Sequence, residues 1–173
     1  MKLPGTFSGK KNHINVMIET PAGSRNKYTY NKEGKYFEIR KILPAGTAFP
    51  MDFGFIPGTK GEDGDPLDIL VIMDAPAYPG CVAECRLIGV IIAEQTEDNG
   101  EKIRNDRLVG VAAQSQSYSN MDSINDINKN LLTETVNFFK YYNKMGGKEF
   151  RLLNVKGKAA AAGLVKKHLI KPK

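Results

Sequence analysis

One stretch of this chain leaves little freedom of interpretation: four carboxylates in seven residues, Glu62, Asp63, Asp65 and Asp68, run straight into the apolar sequence Leu67–Met73. A short, nearly continuous apolar run of this kind predicts a strand buried on both faces. The carboxylates therefore sit at the mouth of a rigid, interior element. Like charges this close repel, and more so where water is excluded. Full exposure relieves that repulsion, and so does a bound cation. The flanking residues favour a specified geometry. Gly64 lets the backbone approach a ligand closely. Pro66 fixes its own φ and pushes Asp65 towards an extended conformation.

The rest of the chain divides by period. Ile14–Glu19 alternates around Val16 and Ile18 and predicts a strand. Lys27–Tyr30 and Tyr36–Arg40 flank Asn31–Gly34 and predict a hairpin. Cys85–Ala93 and Leu108–Ala113 predict two more strands, with a polar excursion at Glu97–Asn105 between them. Beyond Met121 the spacing of Ile124, Ile127, Leu131, Thr135, Phe138 and Tyr142 is helical. Ser123 and Asp126 resemble a capping box, and Gly146-Gly147 ends the helix. Glu149–Val155 predicts a closing strand and Ala159–Leu169 a short helix weakened by Gly163. Strands first and helices last predict an α+β fold, a small barrel or sheet with helices packed outside.

At 173 residues the chain can bury one real core, and a single domain over residues 1–173 is expected. No apolar run approaches the roughly 20 residues of a membrane span. The start, MKLPGTFSGKKNH, has no apolar segment of a secretory signal. Cys81 and Cys85 are therefore expected to be reduced and small packing residues, buried or half-buried. The net charge of +6 is uneven: residues 140–173 carry ten Lys/Arg and one acid, Glu149, while the other 139 residues carry 15 basic and 18 acidic side chains. A basic end can bind nucleic acid, but no aromatic interleaving accompanies it here, and a solvated helix face is the expectation.

An all-carboxylate cluster suits hard cations such as Mg²⁺, Mn²⁺ or Ca²⁺. An EF-hand loop fits badly, because Leu67, Asp68 and Asp74 stand where that loop needs an acid or Asn, a Gly and a Glu. Mg²⁺ takes few protein carboxylates and shares the rest of its shell with waters and phosphates, which points to a phosphate substrate. Such a substrate needs cations, and Lys27, Lys41, Arg104, Arg107 and Lys144 are the candidates.

The stretch Glu62–Leu70 (EDGDPLDIL) resembles the signature of the soluble family I inorganic pyrophosphatases: Asp, a small residue, Asp, Pro, an apolar residue and Asp. Further segments in the same order resemble that family: Ile18–Pro21, Asn26–Tyr28, Ile42–Gly58, Asn105–Val109 and Phe138–Lys144. Together they span roughly residues 14–156. The resemblance implies a five-stranded OB-like β-barrel with flanking α-helices. It also implies Mg²⁺-dependent hydrolysis of pyrophosphate in a cytoplasmic homo-oligomer, often a hexamer, with Mn²⁺ or another divalent ion as an alternative cofactor. Carried over by position, Asp63 and Asp68 hold metal and Asp65 is the base towards the attacking water. Glu19 belongs to the metal side, directly or through water. Lys27 and Tyr142 bind phosphate oxygens. Two further acidic ligands lie around the turn Glu94–Asp106: Asp106 is the choice for one, with Asn105 its ungapped rival, and Glu94 for the other, with Glu97 and Asp98 as rivals. Arg107 stands where the family usually has Lys. The departures are Thr29 for an acid, Lys41 for a phosphate-binding Arg, Phe53 for a Tyr, and Asn143 for a Lys that Lys144 follows. A lysine at position 41 keeps the charge but loses the bidentate fork. Two other readings are a relative that binds metal or phosphate without turnover, and a nucleic-acid-binding OB module. The acidic segment speaks against the second.

Overall fold

The apolar run after the acidic segment does form a strand with both faces covered. The computed structural model of the chain describes residues 3–10, 12–97 and 99–170. Its strands are β1 (His13–Thr20), β2 (Asn26–Asn31), β3 (Tyr36–Ile42), β4 (Asp52–Phe55), β5 (Asp68–Ile72), β6 (Val82–Thr96), β7 (Lys102–Arg104), β8 (Arg107–Ala112) and β9 (Glu149–Gly157). Its α-helices are α1 (Lys129–Lys144) and α2 (Lys158–Lys167). Along β5, Leu70 and Ile72 join a cluster with Val136 and Phe139 of α1. Ile69 and Val71 point the other way, into a cluster with Ala161 and Val165 of α2. The period-2 alternation of a strand thus feeds two apolar layers from one continuous run.

Strands β1, β4, β5, β8 and β6 pair in that order, and β6 pairs back onto β1, closing a ring of five. Among the described residues, only the β5–β8 pairing is parallel. The 15-residue β6 does two jobs. Its first half closes the barrel against β1 and β8. Its second half leaves the ring to pair with β7 and β9. The β2–β3 hairpin stands apart as its own two-stranded sheet. Among the described residues, no helix is long and apolar enough to cross a membrane.

Several expectations need correction. Strand β4, sequence DFGF, falls inside what reads as a turn-rich approach, because Asp and Gly are depleted in strands. The polar excursion contains β7, a three-residue strand held by pairing to β6. The Ser123–Asp126 capping box is present, but it caps a 3-10 turn at Ile124–Asp126. The α-helix starts later, at Lys129, with the Asn128 side chain accepting from the backbone N–H of Asn130. Cys85 is buried, as expected, and burial pushes its thiol up to about 12, but Cys81 is exposed.

The segment before β1 is tied to β6 by one carboxylate. Glu84 accepts from the Ser8 hydroxyl (2.8 Å) and the Lys10 ammonium (2.8 Å), and His13 Nδ1 lies 2.9 Å away. These partners, Lys10 first, pull the Glu84 pKa down to about 2. A carboxylate whose folded pKa is depressed adds stability above its unfolded value, and that stability is lost as pH falls through the folded value. Glu84→Gln is therefore expected to lower the urea midpoint at pH 7, with the gap to wild type closing as pH falls from about 4.3 towards 2. A gap that stays constant across this range would refute the ion-paired role.

Candidate active site

One cavity of about 260 Å³ gathers most of the expected residues. The loop before β5 supplies Asp63 and Asp65, the first residue of β5 is Asp68, β1 supplies Glu19, β2 supplies Lys27, and α1 supplies Tyr142. Arg107 enters from the start of β8 and Asn105 from the link before it. The acidic loop is held by its own backbone. Gly61 N–H donates to Asp65 O at 2.6 Å, Gly64 N–H to Gly61 O at 3.2 Å, and Asp65 N–H to Asp63 Oδ1 at 3.1 Å. Gly64 sits at φ +88°, in the left-handed region that a side chain disfavours.

Buried cations face these carboxylates. Lys27 Nζ lies 3.2 Å from Glu19 Oε2 and 3.9 Å from the Phe53 ring centroid. The other Glu19 oxygen accepts from the Tyr30 backbone N–H at 2.8 Å. Arg107 Nη1 lies 2.7 Å from Asp68 Oδ2. The Arg107 guanidinium also stacks near Phe139 (5.1 Å) and Phe53 (5.8 Å). The two cations share the Phe53 ring, which gives this departure from the family's Tyr a packing role. Burial lowers the Lys27 pKa, against the opposing pull of Glu19 and Asp68. Burial raises the Asp68 pKa, against Arg107 and Lys27. It also raises Asp63 and the Tyr142 phenol. A site that disfavours charge of either sign holds its groups in opposed pairs.

Other expected residues lie elsewhere. Asn105 and Asp106 form the two-residue link between β7 and β8, and their side chains part there. The Asp106 carboxylate accepts from Ala93 N–H (2.9 Å) and Arg104 Nη2 (2.8 Å), and it lines an adjoining hollow of about 200 Å³ that Asp63, Asp68 and Asn105 also line. Asn105, the ungapped rival, is the one that lines the cavity. Glu94 faces Arg151 (3.4 Å) and Lys102 (3.9 Å), and Glu97 pairs with Lys148. Asp98 is outside the described residues. Lys41 stands over the Tyr142 ring at 4.9 Å and does not line the cavity. Lys144 lines a separate hollow with Lys140 and Lys148. Phe139 and Lys32 were not anticipated. Phe139 carried a signal, being three residues before Tyr142 on one helix face. Lys32, 3.6 Å from Asp65 across the exposed hairpin end, carried none.

The donor set suits a hard divalent ion. The cavity offers carboxylate oxygens and no Cys or His, and no group of three or more His, Cys, Asp or Glu converges among the described residues. Oxygen donors are what an ion held by one or two carboxylates, with water and substrate completing its shell, would use. The closed, OB-like barrel thus carries carboxylates opposed to buried cations in one cavity. A sequence model of the pyrophosphatase family, described as inorganic pyrophosphatase, matches residues 16–171. An inorganic pyrophosphatase of Synechocystis sp. is 40% identical over 152 residues, covering 88% of this chain and 87% of that protein. The crystal structure of the inorganic pyrophosphatase from Thermus thermophilus superposes with a TM-score of 0.86 at 31% identity, covering 95% of this chain and 92% of the other. The Helicobacter pylori inorganic pyrophosphatase gives a TM-score of 0.87 at 27% identity, with 97% and 96% covered. The chain belongs to the inorganic pyrophosphatase family.

Proposed function

We propose that this protein hydrolyses inorganic pyrophosphate to two phosphates with the help of divalent metal ions, Mg²⁺ first and Mn²⁺ as an alternative. The observation that carries the reading is the single cavity in which Asp63, Asp65 and Asp68 face Lys27, Arg107 and Tyr142. Family membership supports it throughout. In this reading Asp63 and Asp68 hold the metal, with Glu19 beside them or acting through water. A bound divalent ion supplies charge neutralisation and lowers the pKa of an attacking water. The chain's own groups do the rest. Asp65 accepts a proton from the water as its oxygen bonds to one phosphorus. The bridging P–O bond breaks, and the bridging oxygen leaves with the second phosphate. Lys27, Tyr142 and Arg107 meet the charge on the phosphate oxygens. Phosphoryl transfer needs mainly such positioning and electrostatics.

Asp106, Glu94, Lys41 and Lys144 are given no place in the chemistry, because none of them lines the cavity. The reading takes residues 1–173 as one catalytic domain, working in the cytoplasm as a homo-oligomer, with a hexamer the first expectation. The basic end offers no rival function: Lys140, Lys144, Arg151, Lys156, Lys158, Lys166 and Lys167 are exposed on α1, β9 and α2, in keeping with a solvated surface. The direct test is phosphate release from pyrophosphate. Turnover is expected with Mg²⁺ and none after EDTA, returning when Mg²⁺ is added in excess. Binding of pyrophosphate without turnover under every divalent ion would favour the non-catalytic relative.

A further inference from the structure

We propose that the Arg107 guanidinium is a resident cation in the acidic cavity, filling a place that a divalent ion would otherwise take, so that this chain binds fewer ions than its acidic residues suggest. The inference rests on the reading that the cavity binds divalent ions, and it concerns how many.

The guanidinium is held on charge by one carboxylate and on shape by two rings. Arg107 is 5% exposed. Its Nη1 lies 2.7 Å from Asp68 Oδ2 and donates to the side-chain oxygen of Asn105, and to the Asn105 carbonyl at 3.3 Å. Phe139 and Phe53 flank it at 5.1 and 5.8 Å. Its Nε is buried and has no acceptor among the described residues. The fold therefore holds this group in place without satisfying it fully. A lysine at this position could shed its proton, but an arginine keeps its charge at any working pH.

Position 105 explains why the charge is tolerated. Asn105 and Arg107 both line the cavity, two residues apart, and Asn105 is neutral. Asp68, Asn105 and Arg107 together carry no net charge, so nothing in that trio draws a second divalent ion. A carboxylate at 105 would face Asp68 across the guanidinium and restore an anionic pair. Lys27 neutralises Glu19 in the same way from 3.2 Å. Of the four cavity acids, Asp63 and Asp65 are left without a buried cationic partner. The free oxygen of Asp68, which accepts no hydrogen bond among the described residues, can share an ion with Asp63.

The test counts ions without using turnover. Mn²⁺ bound per chain is measured by electron paramagnetic resonance of the free ion, in the absence of pyrophosphate, for wild type, Asn105→Asp and the double variant Asn105→Asp/Arg107→Met. Circular dichroism melting establishes that each chain is folded. The double variant is expected to hold about one more Mn²⁺ per chain than wild type. Asn105→Asp alone is expected to hold no more, because Arg107 pairs with the new carboxylate. An unchanged count in the folded double variant overturns the proposal, and so does an extra ion in Asn105→Asp alone. If the double variant fails to fold, the single variant decides between these outcomes. Expected counts together with a wild-type chain that never releases phosphate from pyrophosphate would leave the resident cation standing and refute the pyrophosphatase reading instead.

Discussion

Replacing Asp65 by Asn is expected to lower kcat for pyrophosphate by about 10²–10⁴-fold, the usual worth of a positioned general base, with the melting temperature within about 1 °C of wild type. The separation of activity from stability follows from how the loop is built. The turn around Gly64 uses the backbone N–H and carbonyl of Asp65, both of which Asn retains. The Asp65 side chain is 78% exposed and meets one partner, Lys32 at 3.6 Å. An exposed pair of this kind contributes little to folding. What Asn cannot do is accept a proton from water. The loss should fall on kcat, since the phosphate-binding side chains stay in place. Steady-state kinetics with Mg²⁺ in excess measure it, and an Asp65→Asn enzyme with undiminished kcat would remove the base from the mechanism.

Gly54→Ala is expected to have the largest effect on stability. Gly54 lies in β4, opposite Ile18 of β1 and Ile69 of β5. A Cβ there would sit 2.1 Å from the Met17 carbonyl oxygen, 2.9 Å from its carbon and 3.0 Å from Ile18 Cα. These are backbone atoms of a paired strand and cannot rotate aside. The chain must separate β1 from β4 and so open the ring. A loss of about 4 kcal/mol or more is in keeping with overpacking against fixed backbone. For a chain of this size that lowers Tm by roughly 10 °C or more. Gly163→Ala is the control of opposite sign. Gly163 lies in α2, an added Cβ meets nothing within 4 Å, and its φ is ordinary. Alanine there should raise stability by about 0.5–1 kcal/mol. Equal urea midpoints for Gly54→Ala and wild type would show that the β1–β4 approach is not as close as the structure has it.

Both variants bear on what could be read before the fold was known. The role of Asp65 is what the resemblance to the family signature implies, while its fixed geometry is local: Gly64 and Pro66 shape a turn that depends on residues next to one another. The same holds for β5, where an apolar run bounded by polar residues admits few conformations, and for the β2–β3 hairpin with its turn at Asn31–Gly34. Strand β4 was hidden for the opposite reason. Its four residues include Asp and Gly, and its strand character comes from neighbours, β1 and β5, that are distant in sequence. Asp52 stays in that strand because its carboxylate caps the Ala22 and Ala77 backbone N–H groups at 2.7 and 2.8 Å, partners that no local reading supplies.

The acidic segment is where the two levels divide. Sequence alone was enough to identify Asp63, Asp65 and Asp68 as one unit at the mouth of a buried strand, because charge repulsion, turn chemistry and apolar patterning all act within ten residues. It names Arg107 for the substrate side but could not decide between Asp106, its choice, and Asn105, the ungapped rival. Which of the two turns towards the cavity follows from the phase at which the link after β7 enters β8. Pairing of β8 with β5 on one side and β6 on the other sets that phase. It sends Asp106 to the β6–β7 junction and brings Asn105 and Arg107 to the cavity. Alternation along a strand is local, but its registry against partners far along the chain is a property of the closed barrel.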